Sequence, residues 1–429
     1  MLIMDETMPK KTPENELPTL FIGIDWADQK HDCHLIHQDG RQRHMTLMQS
    51  PGAIEQWIGE MIELAAGGKV AIILEQSKGA LIHALMSHAG IILYPINPKK
   101  LARYRESFAG GEGKDDPTDA MYLARMLRER IDLLKPWLPN DEQTRLLNNL
   151  CQLRRNAVND QNKLRQKLIN TLKLYYPGIL QLFGKIHQAP ILIEMLQRWS
   201  DPRKLVRADR QVVRKVLAEH GIRNSDQQEE LIQEIRAMKL LTKDNALIQP
   251  YAMIVKLLAK QIKLSIQTIK AFETSIDDVF KKHPDYELFS NLRGAGPALA
   301  PRLLTAFGSD RERWDHADQI ASYAGEAPVT RQSGKQKSVH RRYSCPQYLR
   351  QTFHEFANSA RQWCTWSNAR YRLLKSKGMK HHAILRKLAR SWIRILYRVW
   401  KTKVPFDSER YIQNLKRRSP EIIPFLENN

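Results

Sequence analysis

From Thr19 onward, apolar and polar positions alternate with a two-residue period in three short runs, FIGIDWA, HDCHLIHQ and RHMTLM. Turn-forming pairs such as Asp39–Gly40 join them, so the pattern predicts an antiparallel meander. The stretch from Ala53 to Ala65 has a helical period. Strand-like KVAIILEQ, helix-like ALIHALMSHAG and strand-like IILYPINP follow, an alternation that implies parallel strands with crossover helices. Three antiparallel strands followed by βαβα is the element order of an RNase H-like domain, although other α+β folds share it.

Beyond Pro139 the period becomes helical throughout. Asp141 to Tyr175 carries Leu150, Leu153, Ala157, Leu164, Leu168 and Leu172 as an apolar stripe, interrupted by Gln161. Ile254, Leu258, Ile262, Ser265, Ile269, Phe272, Ile276 and Val279 keep three-and-four spacing over seven turns. These segments read as the two arms of an antiparallel coiled coil or bundle, with packing inside one chain preferred to a dimer seam. A third region opens with NLRGAGPALAPRLLTAFG, where Gly294 and Gly296 form a turn between two helical segments. Helix-hairpin-helix elements use such a turn to bring backbone N–H groups close to phosphate, and the same spacing also ends helices for steric reasons. The predicted class is therefore α/β plus α. It comprises a leader at 1–18, an RNase H/RuvC-like catalytic domain at 19–135, a helical coiled-coil region at 140–285, a mainly helical DNA-binding domain at 287–405 and a tail at 406–429.

The chain of 429 residues is long enough for two or three domains. No stretch of eighteen apolar residues occurs, so no membrane span is predicted, and the N-terminus lacks the basic start and apolar core of a signal peptide. A flexible leader on a cytoplasmic protein is expected. Cys33, Cys151, Cys345 and Cys364 are far apart and signal neither a zinc site nor a disulfide framework. Charge changes the picture more. The net charge is +22, and the segment from Val329 to Lys403 holds nineteen Lys or Arg against one acid, Glu355. A bias this local favours phosphate binding over a merely solvated face.

The candidate chemistry lies in four acids. Asp25 ends the first strand on the same face as Phe21 and Gly23, and Glu75 ends the strand VAIILE. If those strands are neighbours, the two carboxylates emerge at equivalent ends of an apolar sheet. The third element, KDDPTDAMYLARMLRER, is a good helix start, with Asp116 as N-cap, Pro117 first and Asp119 third. Capping accounts for the acids by itself. It does not account for direction: Asp116 and Asp119 share a face with Ala120, Leu123 and Leu127, which must pack on the sheet. Both acids then point toward Asp25 and Glu75. Four clustered carboxylates repel one another unless divalent cations neutralise them, and Mg²⁺ (or Mn²⁺) with its oxygen ligands is the natural candidate.

GIDWA, LEQS and KDDPTDA together resemble the DEDD transposases of bacterial insertion sequences (insertion-sequence family 110), whose kin include the Piv-type DNA invertases. RGAGPALAPRLL is similar to that family's glycine-bearing hairpin, YAGEAPVTRQSGK to its Ser-Gly block, and RKLARSWIRILYRVW to its closing helix, so the likeness covers most of residues 20 to 400. The resemblance implies a transposase that cleaves and rejoins DNA, with Asp25, Glu75, Asp116 and Asp119 as metal ligands and Ser333 as nucleophile. It further implies a homo-oligomer, dimer or tetramer, with the site assembled between protomers, and a structured noncoding guide RNA as partner.

Taken alone, Ser333 is ordinary turn chemistry in a basic loop, where Arg331, Lys335, Lys337, Arg341 and Arg342 are placed to hold a scissile phosphate. Glu326 departs from the family, which commonly has an apolar residue there, and the coiled region is long for it. Three other readings stay open, the first two being a hydrolytic nuclease of the Holliday-junction-resolvase type and a Piv-like invertase. A non-catalytic nucleic-acid-binding protein is the third, in which the acids only cap elements.

Overall fold

The computed structural model describes residues 17–75, 79–108, 115–183, 190–334 and 336–427, with the side chain of Lys337 also outside the description. Most of the expected leader and Lys335 therefore lie outside the described residues. The chain divides into two compact units, residues 1–139 and 140–429.

The first unit is built on a five-stranded sheet of order β3-β2-β1-β4-β5. Strands β1 (Leu20–Asp25), β2 (Lys30–His37) and β3 (Gln42–Met48) form the predicted antiparallel meander. Helix α1 (Pro51–Leu64) leads to β4 (Val70–Leu74), which pairs parallel with β1, and α2 (Ala80–Leu85) crosses to β5 (Ile91–Pro95), parallel to β4. The central strands β1 and β4 are apolar on both faces because both are covered, whereas the edge strand β3 is mostly exposed. Ile22, Ile24, Ile72 and Leu74 face α1 and α2, while Phe21, Ala71 and Ile73 face the side where α3 (Pro98–Arg105) and α4 (Asp116–Arg130) pack. Sheet order and alternation make this an RNase H-like arrangement.

One contact sets the position of α4. A Cβ on Gly23 would stand 2.1 Å from the Ala120 carbonyl oxygen and 2.4 Å from the Ala124 nitrogen. Only glycine lets the helix backbone rest directly on β1, so the first turn of α4 is held beside the strand end that carries Asp25. The helix start differs by one residue from the sequence reading. Asp115, not Asp116, is the N-cap, its carboxylate accepting from the Thr118 N–H at 2.7 Å, and Pro117 is second rather than first in the helix.

The second unit begins with α5 (Glu142–Tyr175), capped by Asp141. Five short helices follow: α6 (Pro177–Leu182), α7 (Pro190–Arg198), α8 (Pro202–Val206), α9 (Arg210–Glu219) and α10 (Ser225–Ala237). They gather around the far part of α5 and the start of α11 (Asn245–Lys281), forming a core with Leu172, Leu196, Leu217, Ile235 and Leu258. Helices α5 and α11 run antiparallel, since Gln143 reaches the Val279 carbonyl and Arg154 pairs with Glu273. In its second half the α5 stripe is the predicted one, with Leu168 and Leu172 buried, whereas nearer the start Leu147 and Cys151 are buried, Leu153 is 52% exposed and Gln161 is buried.

The remaining chain forms α12 (Tyr286–Ser290), α13 (Gly296–Phe307), α14 (Ala317–Tyr323), the hairpin β6 (Val329–Ser333) with β7 (Gln336–His340), α15 (Gln347–Trp363), α16 (Thr365–Ser376), α17 (His381–Thr402) and α18 (Ser408–Arg418). Its core is aromatic. Trp392 sits among Phe356, Trp366 and Phe406, and its indole N–H donates to Ser367 Oγ at 2.9 Å, which satisfies the one polar atom that burial would otherwise strand. Among the described residues, no helix is long and apolar enough to cross a membrane.

Candidate active site

Asp25 ends β1 and Glu75 follows the last residue of β4, its parallel neighbour, so the two carboxylates leave the sheet at equivalent strand ends. The α4 face contributes the other pair. Asp119 is buried beside Ala120 and Leu123, while Asp116, one turn earlier, is exposed. With Asp115 as the cap, neither Asp116 nor Asp119 is needed to close the helix start.

The crowding shows in the acidity of Asp25. Burial first, and then the charges of Asp116, Asp119, Glu75 and Asp32, together raise its pKa from 3.8 to about 6. Asp116, Asp119 and Glu75 thus lie close enough to Asp25 to oppose its ionisation. Asp32 is an addition the sequence did not offer. It pairs with Asp25 across the β1–β2 ladder, is 7% exposed, and accepts from His44 Nε2 at 3.1 Å. Cross-strand register could have found it, since the residue opposite a site carboxylate borders the same pocket.

Arg105, at the end of α3, is a second addition. Its guanidinium donates to Asp119 Oδ1 at 2.6 Å, with both side chains largely buried. Here an arginine neutralises part of the acidic cluster. Among the described residues, no three His, Cys, Asp or Glu side chains converge tightly enough to hold an ion as they stand. The donor set itself suits a hard divalent cation, being carboxylate oxygens on a rigid strand end and helix start.

Ser333 is in the second unit. It lies at the far end of β6, opposite Gln336, and is exposed. The segment read as a loop is therefore a hairpin, with Gly334 at φ 54° directly after β6. Arg331, Gln332, Ser333, Gln336 and Ser338 line an open depression of about 440 Å³. Among the described residues, no hydrogen bond positions the Ser333 hydroxyl, so any activating group has to be brought to it. Arg341 is exposed beside Tyr343, and Arg342 is half-buried.

Glu326 lies at the foot of this hairpin rather than at Ser333. It is 3% exposed with neither carboxylate oxygen hydrogen-bonded among the described residues. Burial pushes its pKa up to about 8, against the opposing pull of Arg386, Arg350 and Arg341. Glu355 is the sole acid of the basic segment, and it is spent internally on Arg302 at 2.7 Å and Arg155 at 3.1 Å. Acids outside the segment neutralise only part of its charge, Asp318 pairing with Arg390 and Arg394, Glu312 with Lys401 and Glu421 with Lys377. In the glycine turn, Gly294 has φ 88°, and a Cβ there would stand 2.8 Å from Ala360 Cα, so α15 packing accounts for it. Gly296, with φ 56°, faces open space.

Residues 22–177 match a transposase family of the DEDD IS110 type, a span containing all four acids. Residues 286–372 match the family described as "Transposase IS116/IS110/IS902 family", a span containing the glycine turn and Ser333. Among similar proteins, "Mini-circle putative transposase for IS117" of Streptomyces coelicolor is 26% identical over 412 residues, covering 91% of this chain and 96% of the relative. "Insertion element IS900 uncharacterized 42 kDa protein" of Mycobacterium paratuberculosis is 27% identical, covering 74% of this chain and 79% of the relative. "Insertion element IS110 uncharacterized 43.6 kDa protein" of Streptomyces coelicolor is 23% identical, covering 91% and 96%.

Proposed function

Because the chain belongs to the IS110 family of DEDD transposases, DNA strand-transfer enzymes, we propose that it transfers strands through a covalent serine–DNA intermediate at a carboxylate-held metal site. The observation carrying this reading is the crowding of Asp25 by Asp116, Asp119 and Glu75 at one edge of the sheet. These four side chains would hold Mg²⁺ or Mn²⁺. A divalent ion there supplies Lewis acidity to a phosphodiester, easing both attack and departure of the oxygens at phosphorus.

The chain's own residues do the rest. Asp25 and Glu75 are fixed by the strands, and Asp116 and Asp119 by the seating of α4 on Gly23. Arg105 holds Asp119 in its rotamer through Oδ1. Ser333 Oγ forms a bond to phosphorus as the bond to a deoxyribose oxygen breaks. The hydroxyl proton is given up, and the departing oxygen takes one. Reversal onto a new strand end rejoins the DNA without external energy. Arg331, Arg341 and Arg342, with Lys335 and Lys337, hold the phosphate, and Gly296 offers backbone N–H groups to a neighbouring one.

The acids and Ser333 belong to separate units, and by family likeness the site is completed between protomers of a homo-oligomer, with α5 and α11 as its coiled-coil arms. The same likeness suggests a noncoding guide RNA as second partner, and a bacterial cytoplasmic setting.

The test is a covalent adduct. Wild-type protein incubated with element-end DNA and Mg²⁺ should yield a nucleotide-modified Ser333 peptide by mass spectrometry, absent from S333A and D25N. Mixing those two variants should restore strand transfer if protomers share the site. Undiminished cleavage by S333A without an adduct would instead favour the water-using nuclease.

A further inference from the structure

Helices α17 and α18 are joined by a sharp turn in which Lys403 takes a left-handed conformation, φ 56°, and the two helices diverge around a groove of about 560 Å³. The groove lies almost wholly beyond residue 372, where the matched family region ends. Its two walls are arginine rows. Arg394 and Arg398 stand four residues apart on α17, Arg410 and Arg418 eight apart on α18, and Arg370 of α16 closes one side. Helical spacing of four or eight puts each pair on one face. The floor is apolar, formed by Val399, Phe406, Tyr411 and Leu415.

The charge is largely unused. Arg394 reaches Asp318 at 3.2 Å, but among the described residues Arg370, Arg398, Arg410 and Arg418 make no ion pair. The only acid lining the groove, Asp407, accepts the Arg410 N–H as cap of α18. Guanidinium groups are suited to phosphate because their planar donors match its oxygens two at a time.

We infer that this groove is a binding site for single-stranded DNA. A duplex offers convex phosphate ridges and keeps its base faces stacked inside, so it has nothing to place on an apolar floor between facing arginine rows. A single strand offers both charged backbone and exposed base faces, the pairing that strand-binding grooves use. The distance along α18 from Arg410 to Arg418, about 12 Å at 1.5 Å per residue, matches a few nucleotides. Strand transfer separates the strands of its DNA, so a site holding one strand clear of the reacting ends has an immediate use. In this the inference rests on the chain being a transposase, but not on Ser333 or on the metal site.

The experiment uses the full-length protein and a labelled twelve-residue oligothymidylate, read by fluorescence anisotropy across a salt series. The double variant Arg398→Gln/Arg410→Gln should weaken binding about tenfold at 0.15 M salt and flatten the log–log salt slope by about 1.4, the contribution of two phosphate contacts on a single strand. Lys239→Gln/Lys243→Gln, with equal charge loss on exposed lysines elsewhere, should weaken it less than twofold. Thermal melting of each variant verifies folding. Equal losses in the two variants, no loss in the groove variant, or a loss seen only with duplex DNA or only with oligouridylate would overturn the inference. Asp25→Asn should bind the oligothymidylate as wild type does. A missing Ser333 adduct with normal groove binding would count against the proposed chemistry and not against the groove.

Discussion

Replacing Asp25 by Asn should make the metal-free protein more stable at neutral pH. The folded state raises the Asp25 pKa from 3.8 to about 6, so folding favours the protonated acid. Below pH 4 the residue is protonated in both states and costs nothing. As pH rises from about 4 to 6, the unfolded chain ionises freely while the folded one resists, and stability falls by an amount that stays constant above about 6. A shift of about two units corresponds to roughly 3 kcal/mol. Asp25 is only half-buried, so solvent screening reduces this to ~1–2 kcal/mol. Asparagine keeps the shape and removes the charge. Differential scanning calorimetry should show the first unit, residues 1–139, melting a few degrees higher (about 2–4 °C per kcal/mol) in D25N than in wild type at pH 7.5 without metal. The two should melt together near pH 4, and Mg²⁺ should raise the wild type toward the variant. A variant less stable than wild type at pH 7.5, or a gain of equal size at both pH values, would refute the claim that Asp25 is held among opposing charges.

Three further outcomes follow from individual contacts. Gly23→Ala puts a methyl against the α4 backbone and should cost about 1–3 kcal/mol in denaturant unfolding, with weaker Mn²⁺ binding because Asp116 and Asp119 shift with the helix. Arg105→Ala leaves the buried Asp119 carboxylate without its partner and should destabilise the metal-free protein by ~3 kcal/mol. Part of that loss should return with Mg²⁺, whereas a loss indifferent to metal would place Arg105 outside the site. Glu326→Gln should match wild type near pH 4 and exceed it in thermal stability by a margin that grows up to about pH 8 and is constant beyond, because the unfolded chain ionises from about 4.5 while the folded acid resists up to about 8.

How much of this was legible beforehand depended on the range of the interaction. The order β1 to β5 and the placement of Asp25 and Glu75 followed from short strand-sized runs, alternating in the meander and continuously apolar in β4 where both sheet faces are buried, which are local signals. The Asp119 face of α4 followed from helical period for the same reason. The cap was misplaced by one residue because Asp115 and Asp116 are equally good caps in isolation, and only the seating of α4 on Gly23 decides between them. Asp32 and Arg105 were missed because each joins the site through a tertiary partner, Asp25 across the β1–β2 register and Asp119 on a different helix. The bounds of α6 to α10 are not marked by one long stripe, because these are short elements that share one core with the far part of α5 and the start of α11. Glu326 stood out as an unusual residue, but its burial under the hairpin depends on α14, α15 and α17 together and has no local signature.

The central claim is that Asp25, Glu75, Asp116 and Asp119 act together as a divalent-metal site. Calorimetric titration of Mn²⁺ into metal-free protein tests it most directly, with wild type compared against D25N and D119N at pH 7.5. The account predicts saturable binding to wild type that Mg²⁺ competes away and that each substitution weakens at least tenfold. Equal binding by all three proteins, or none by any, would contradict it.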